Sequence, residues 1–237
     1  MLQVWRWPVK SMAGEQVRAM RVDPRGAGGD RTHAVLHEHK GEWKPLTARE
    51  APRMLAWRAS YPFAPDGGLD PERPPHAVVN SPDGHAYAWE DPRLRDALTR
   101  DLGREVRLRR DVNGIQDLER SLLITSEATR AALAEELGRD MDLRRFRTNL
   151  HLQLDGAAPF AEHGWEGATL RFAGGVVVRL LHPCERCVIP TRDPDTQAKS
   201  PELLRHLAAR HDTLFGINAR VLQSGRIAAG EAVRIER

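Results

Sequence analysis

The chain has 237 residues, 41% of them hydrophobic and 29% charged, the balance of a globular protein. No apolar run approaches the roughly 20 residues of a bilayer span, and the opening MLQVWRWPVKSMAGE lacks an apolar stretch followed by a small-residue cleavage site, so no membrane partner and a cytoplasmic address are expected. Thirty-six Lys and Arg against 33 Asp and Glu leave a net charge of +3, too small an excess to point to nucleic acid.

The length fits one large domain or two small ones. In chain order, VWRWP, EQVRAMRV and THAVLHEH are β-rich runs, with the glycine-rich connection DPRGAGGD between the last two. HAVVN and HAYAWE flank Ser81-Pro82-Asp83-Gly84 as a predicted hairpin. A helix is predicted from Asp91, where an N-cap aspartate precedes Pro92 and leucines at helical spacing. A second runs from Ser126 to Gly138 through an alanine- and leucine-rich segment. Between the two helices VRLRRDV and SLLIT read as strands, with a boundary in the turn-rich DVNGIQDL. NLHLQLD alternates apolar with polar, TLRFAGGVVVRLL reads as a hairpin, and SGRIAAGEAVRIE as two short strands around Gly230. A third helix follows Ser200 as N-cap, with Pro201 at its first position and leucines at 203, 204 and 207. The sum is a β-dominated α+β protein, an N-terminal β-barrel-like region over 1–115 and a β-barrel with a few short helices over 116–237.

The two cysteines both lie in HPCERCVIPTRDPDTQ, as Cys184 and Cys187. Two cysteines do not make a disulfide framework. A thioredoxin-type dithiol would open a helix, and Pro190 and Pro194 follow instead. Zinc would need His182 as third ligand and a remote fourth such as His163. A single thiolate could serve a redox metal, favoured by Arg179, Arg186 and Arg192 nearby in sequence. Both cysteines could equally be small buried hydrophobes. The segment by itself leaves these readings open.

Further motifs are spread over the chain: Pro8-Val9-Lys10-Ser11, Gly29-Asp30-Arg31, Leu46-Thr47-Ala48-Arg49, Phe146-Arg147-Thr148-Asn149, Pro159-Phe160-Ala161-Glu162, Arg186-Cys187-Val188 before Asp193-Pro194-Asp195-Thr196, and Phe215-Gly216-Ile217-Asn218. In order and spacing they resemble the MOSC-domain family, named after the C-terminal domain of molybdenum cofactor sulfurase, and within it the members with an N-terminal MOSC β-barrel, including the amidoxime-reducing components.

The resemblance implies a molybdenum–molybdopterin cofactor with Cys187 as metal ligand and catalytic residue, and Lys10, Ser11, Arg31, Arg147, Asn149 and Arg186 as cofactor-binding residues. Soft sulfur donors suit a metal that cycles between oxidation states. The pterin phosphate suits Lys and Arg, and its amide-like edge suits Asn149. Implied too are oxygen-atom transfer on a small-molecule substrate, as in reduction of N-hydroxylated compounds, and a family-level association with pyridoxal phosphate. With no dinucleotide fingerprint and no spare cysteine set, electrons are expected from a partner protein. The same pocket would serve a carrier holding a persulfide or the cofactor on Cys187, and a third class is a zinc-stapled or metal-free interaction domain. Three departures stand out. Gln197 replaces a usual glycine, implying a turn that does not need a strongly positive φ unless it is strained. Glu185 adjoins the cysteines, and Glu119 with Arg120 replaces hydroxyl residues.

Overall fold

The computed structural model describes residues 3–64, 68–113 and 122–236. The N-terminal half contributes β1 (Gln3–Arg6), β2 (Glu15–Val17), β3 (Ala19–Asp23), β4 (Gly26–Ala27), β5 (His33–His39), β6 (Glu42–Pro45), β7 (Arg58–Ser60), β8 (Val78–Asn80), β9 (Ala86–Ala88) and β10 (Val106–Arg110), with α1 (Pro92–Leu102) before the last. After the undescribed 114–121 come β11 (Leu122–Ser126), α2 (Glu127–Leu137), β12 (Leu150–Leu152), β13 (Thr169–Phe172), β14 (Val177–Glu185), α3 (Pro201–Arg210), β15 (Leu214–Gln223), β16 (Gly225–Ala228) and β17 (Val233–Glu236). Mostly strands with three helices among the described residues, this is the expected β-dominated α+β class.

Local chemistry explains the helices. Asp91 accepts from the Arg93 N–H ahead of α1, Ser126 accepts from the Thr129 N–H ahead of α2, and Gly103 and Gly138 close both in the left-handed conformation. Ser200 holds the expected position before α3 without capping it, because its Oγ accepts from Arg139 Nη1 at 3.0 Å. The hairpins form as expected at β8–β9 and β13–β14. The strands either side of Gly230 part company: β16 pairs with β3, and β17 with β13.

The largest sheet has the order β17-β13-β14-β15-β11-β12-β1-β2. It draws on both ends of the chain, since β1 is antiparallel to β12 with Val4 opposite Leu150. The expected boundary at 115 lies outside the described residues. Strand pairing crosses it twice, at β1–β12 and β3–β16. One apolar core, including Val4, Leu150, Leu170 and Ile217, underlies this sheet. A second, around Met12, Trp57, Tyr61 and Leu94, fills the N-terminal half. A third joins Leu133, Phe146, Leu203, Leu207 and Phe215 beneath α2 and α3.

The alternation expected of NLHLQLD fails at β12, where Leu150, His151 and Leu152 are all buried. A polar residue is tolerated inside because both its nitrogens are partnered: Nδ1 with Thr125 Oγ1 at 2.9 Å and Nε2 with Glu127 at 2.8 Å.

Buried histidine recurs in the N-terminal half. His33 is fully buried, its Nδ1 3.0 Å from Thr32 Oγ1, and its Nε2 accepts from the Ala77 N–H at 3.5 Å, which requires a lone pair. Burial, aided by Arg110, lowers its pKa to about 3. A histidine whose folded pKa lies below its unfolded value contributes stability that is intact above pH 6.5 and lost as the pH falls toward 3. At about 1.4 kcal/mol per pH unit, acidification from 6.5 to 5 is expected to cost roughly 2 kcal/mol through this group. Urea unfolding at the two pH values should show the loss, and His33→Asn should flatten it. A His33 imidazole resonance titrating near 6.5 would contradict the assignment.

Candidate cofactor pocket

A cavity of about 300 Å³ opens where the N-terminal half meets the large sheet, and Cys184, Glu185, Arg186 and Cys187 form one of its walls. Three features of the chain put them there. Register shifts between Leu180 and Pro183 and between Pro183 and Glu185 kink the end of β14 while Glu185 stays paired with Leu214 of β15. Gly216 lets β15 approach β11, since a Cβ there would lie 2.6 Å from the Ile124 carbonyl oxygen, and its φ is +77°. Beyond Cys187 the chain turns through Ile189–Thr191 and is tied down at Asp193 and Asp195. Asp193 accepts from the Asp195 and Thr196 N–H groups and from Arg145 at 2.7 Å; Asp195 is clamped by Arg144 at 2.6 Å.

The opposite wall comes from distant positions. Lys10 and Ser11 form the tip of a turn closed by Met12 N–H to the Val9 carbonyl, with the Lys10 N–H held by His33. Arg31 follows Gly29, where a Cβ would meet the Tyr61 ring at 2.8 Å. Asp30 anchors this corner by accepting from the Trp7 N–H at 2.7 Å and from Arg31 Nη1 at 2.8 Å. Arg147 ends the turn Leu143–Phe146, capped by Asp142. Its guanidinium lies over the Trp7 ring at 4.4 Å and donates from Nη1 to the Met12 carbonyl at 2.7 Å. Ser11, Arg31 and Arg147 all take left-handed backbone conformations, φ 67°, 50° and 56°. Each costs about 1–2 kcal/mol, strain that concentrates where a ligand must be met.

Lys10, Arg31, Arg49, Arg147 and Arg186 line the cavity against the single carboxylate of Glu185. Two buried donors in this cluster, Arg147 Nη2 and Arg186 Nε, have no protein acceptor. Burial, then repulsion from Arg31 and Arg186, pushes the Arg147 guanidinium down to about 9, opposed by Asp30 and by the Cys187 charge. Arg186 spends its remaining nitrogens on Cys184 Sγ at 3.1 Å and the Phe146 carbonyl at 2.8 Å. Both cysteines are free and half-buried. The cavity thus combines an excess of positive charge with two half-buried thiols.

Of the sequence-predicted residues, Lys10, Ser11, Arg31, Arg147, Arg186 and Cys187 line this one cavity. Asn149 does not. Its Oδ1 accepts from the Leu123 N–H at 3.1 Å and its Nδ2 donates to the Trp5 carbonyl at 3.3 Å, so both ends of the amide are spent in joining β1 to β11. Asn218 lines the cavity instead, together with Thr47, Arg49 and Cys184. Their motifs were visible in the sequence; their direction was not. Arg192 turns away, donating to the Gln197 carbonyl at 3.3 Å. The turn at Gln197 does adopt a positive φ, 59°, held by a side-chain bond from Nε2 to the Asp195 carbonyl at 2.7 Å. Glu119 and Arg120 lie outside the described residues. His163 rests against Phe160 with ring centroids 5.6 Å apart and lines no part of the cavity. Among the described residues, the one trio of His, Cys, Asp or Glu ligand atoms within 4.8 Å of one another lies on α2, on α3 and just after α3, so no such trio forms around the cysteines.

The chain is 26% identical to mitochondrial amidoxime-reducing component 1 of Homo sapiens, the match covering 84% of this chain and 67% of that protein. The fold is similar to that of the YUAD protein from Bacillus subtilis, with a TM-score of 0.50 and 13% identity over 98% of this chain and 92% of that one. The family description "MOSC N-terminal beta barrel domain" matches residues 1–83. Residues 95–234, more than half of the chain and including the whole cysteine wall, match the description "MOSC domain", and the chain belongs to that family.

Proposed function

We propose that the chain is a molybdenum-cofactor oxidoreductase, cytoplasmic, in which an N-terminal region over 1–115 and a MOSC domain over 116–237 enclose one cofactor between them. The observation that carries this reading is the meeting of Lys10, Ser11, Arg31, Arg147 and Cys187 around one cavity, with Arg147 Nη2 and Arg186 Nε buried and unpaired. Those donors fit a pterin phosphate. The half-buried Cys187 thiol fits a soft metal. A bound molybdopterin would supply two-electron oxygen-atom transfer, such as reduction of N-hydroxylated compounds.

The chain's own contributions follow from its chemistry. Lys10 and Arg31 supply charge at the phosphate end, Arg31 oriented by Asp30. Arg147, clamped between Trp7 and the Met12 carbonyl, presents a fixed fork. Arg186 holds the cysteine wall to Phe146, and Asn149 positions the strands behind Arg147. Asp193 is a poor proton donor: the Thr196 N–H holds its carboxyl below the usual range. Glu185 is exposed and lines the cavity. Electrons come, in this reading, from a partner protein. Pyridoxal phosphate finds no support in the cavity and forms no part of the reading.

A second reading, a sulfur or cofactor carrier, is favoured by one feature. Cys184 shares the cavity with Cys187 and accepts from Arg186, a setting that suits sulfur transfer between neighbouring thiols. Labelled sulfur trapped on Cys187, without substrate turnover, would select it.

Two results are expected. Cys187→Ser should lose molybdenum and abolish reduction of an N-hydroxylated amidine in a reconstituted electron chain, while Cys184→Ser keeps the metal; equal loss in both variants would contradict the distinction. Arg147→Met should act with opposite signs on two readouts. Removing a buried, uncompensated cation is expected to stabilise the cofactor-free protein by about 1–3 kcal/mol in denaturant unfolding. Loss of charge-assisted bonds worth about 1.5–3 kcal/mol each is expected to weaken pterin retention at least tenfold. A variant destabilised in both states would show that Arg147 serves folding instead.

A further inference from the structure

Outside the cysteine cavity, three ligand groups from separate positions converge on the surface of α2 and α3. Glu136 lies on α2, His206 on α3, and His211 directly after it. His206 Nε2 and His211 Nε2 lie 2.6 and 2.7 Å from the same oxygen, Glu136 Oε2, and all three ligand atoms fall within 4.8 Å of one another. The His211 ring is fixed in place, stacked on Phe160 with centroids 3.7 Å apart and planes 15° apart. Next to the same Phe160, with ring centroids 5.6 Å apart, His163 keeps a buried Nε2 with no protein partner. A simple ion pair needs one imidazole. Two directed at one oxygen, with the second carboxylate oxygen left over, is the donor set of a small cation.

We propose that Glu136, His206 and His211 form a divalent transition-metal site, best suited to zinc, that staples α3 to α2. Two nitrogens and a carboxylate oxygen suit zinc, cobalt and nickel over calcium or magnesium. Metal–ligand bonds of about 2.0–2.2 Å place tetrahedral donors about 3.3 Å apart, so the two nitrogens need withdraw from the oxygen by only about 0.6–0.7 Å from their present 2.6 and 2.7 Å. The side chains are 27%, 21% and 13% exposed, which gives an ion a path in and leaves the fourth position to water. The consequence reaches the cofactor cavity. Leu133 of α2 and Leu203 and Leu207 of α3 pack with Phe146 and Phe215, and the Phe146 carbonyl anchors Arg186. An ion joining the two helices would stiffen the layer behind the cysteine wall without touching it.

The test uses full-length, tag-free protein carrying Cys184→Ser and Cys187→Ser, so that thiols cannot contribute. Calorimetric titration with zinc, and cobalt titration followed by visible absorption, should show one ion per chain with a nitrogen- and oxygen-ligated spectrum and a rise in unfolding temperature. His206→Gln, His211→Gln and Glu136→Gln should each lower the affinity at least about a hundredfold, beyond the tenfold to hundredfold that loss of a supporting neighbour costs. The variants are surface changes, and circular dichroism establishes that each is folded. Absence of saturable binding, or binding undiminished in the three folded variants, would overturn the proposal and leave the trio as a helix-end hydrogen-bond cluster. Neither result bears on the molybdenum reading, since the cysteines are absent from the assay.

Discussion

The structure depends on a guanidinium that the protein does not neutralise. Arg147 is buried beside Arg31 and Arg186, one of its nitrogens has no partner, and burial and repulsion together weaken its hold on its proton. A folded protein rarely keeps such an arrangement for stability, because an uncompensated buried charge costs several kcal/mol. The cost is recovered if an anion completes the cluster. Its position is enforced from all sides: the Trp7 face beneath, the Met12 carbonyl at Nη1, and a left-handed backbone that turns the side chain inward.

The rest of the fold serves that enforcement. Trp7 is itself pinned by its indole N–H to the Thr148 carbonyl at 2.9 Å and by Asp30 at its backbone N–H. Thr148 and Asn149 lock the strand after Arg147 into β11 and β1. On the far side, bulges in β14 and the close approach at Gly216 present Cys187. The cations of the cavity come from both sides, Lys10 and Arg31 from the N-terminal turns and Arg147 and Arg186 from the half that also carries Cys187. Strand pairing carries β1 and β2 of the N-terminal half into the sheet of the C-terminal half.

Local signals in the sequence were reliable wherever a short-range interaction decides the outcome. Asp91 and Ser126 cap the predicted helices, and Ser81–Gly84 makes the predicted hairpin, because each depends on neighbours a few residues away. What was hidden depends on tertiary partners. His151 reads as the outward residue of an alternating strand until Thr125 and Glu127 are seen to meet both its nitrogens. Asn149 and Asn218 are the same residue type in comparable motifs, and tertiary partners decide their places: Asn149 bonds Leu123 and Trp5 between strands, while Asn218 lies at the cavity with its Nδ2 directed at His182. Gln197 accepts a glycine-like φ because its own side chain bonds the turn. The convergence of Lys10, Arg31 and Arg147 had no short-range signature at all; resemblance, not periodicity, pointed to it.

The proposed function puts a phosphorylated, molybdenum-bearing pterin in this cavity, between the arginines and Cys187. The most direct measurement is the metal and pterin content of the protein isolated from a host able to make the cofactor. The account predicts about one molybdenum and one pterin per chain. Well-folded protein from such a host that carries neither would contradict it.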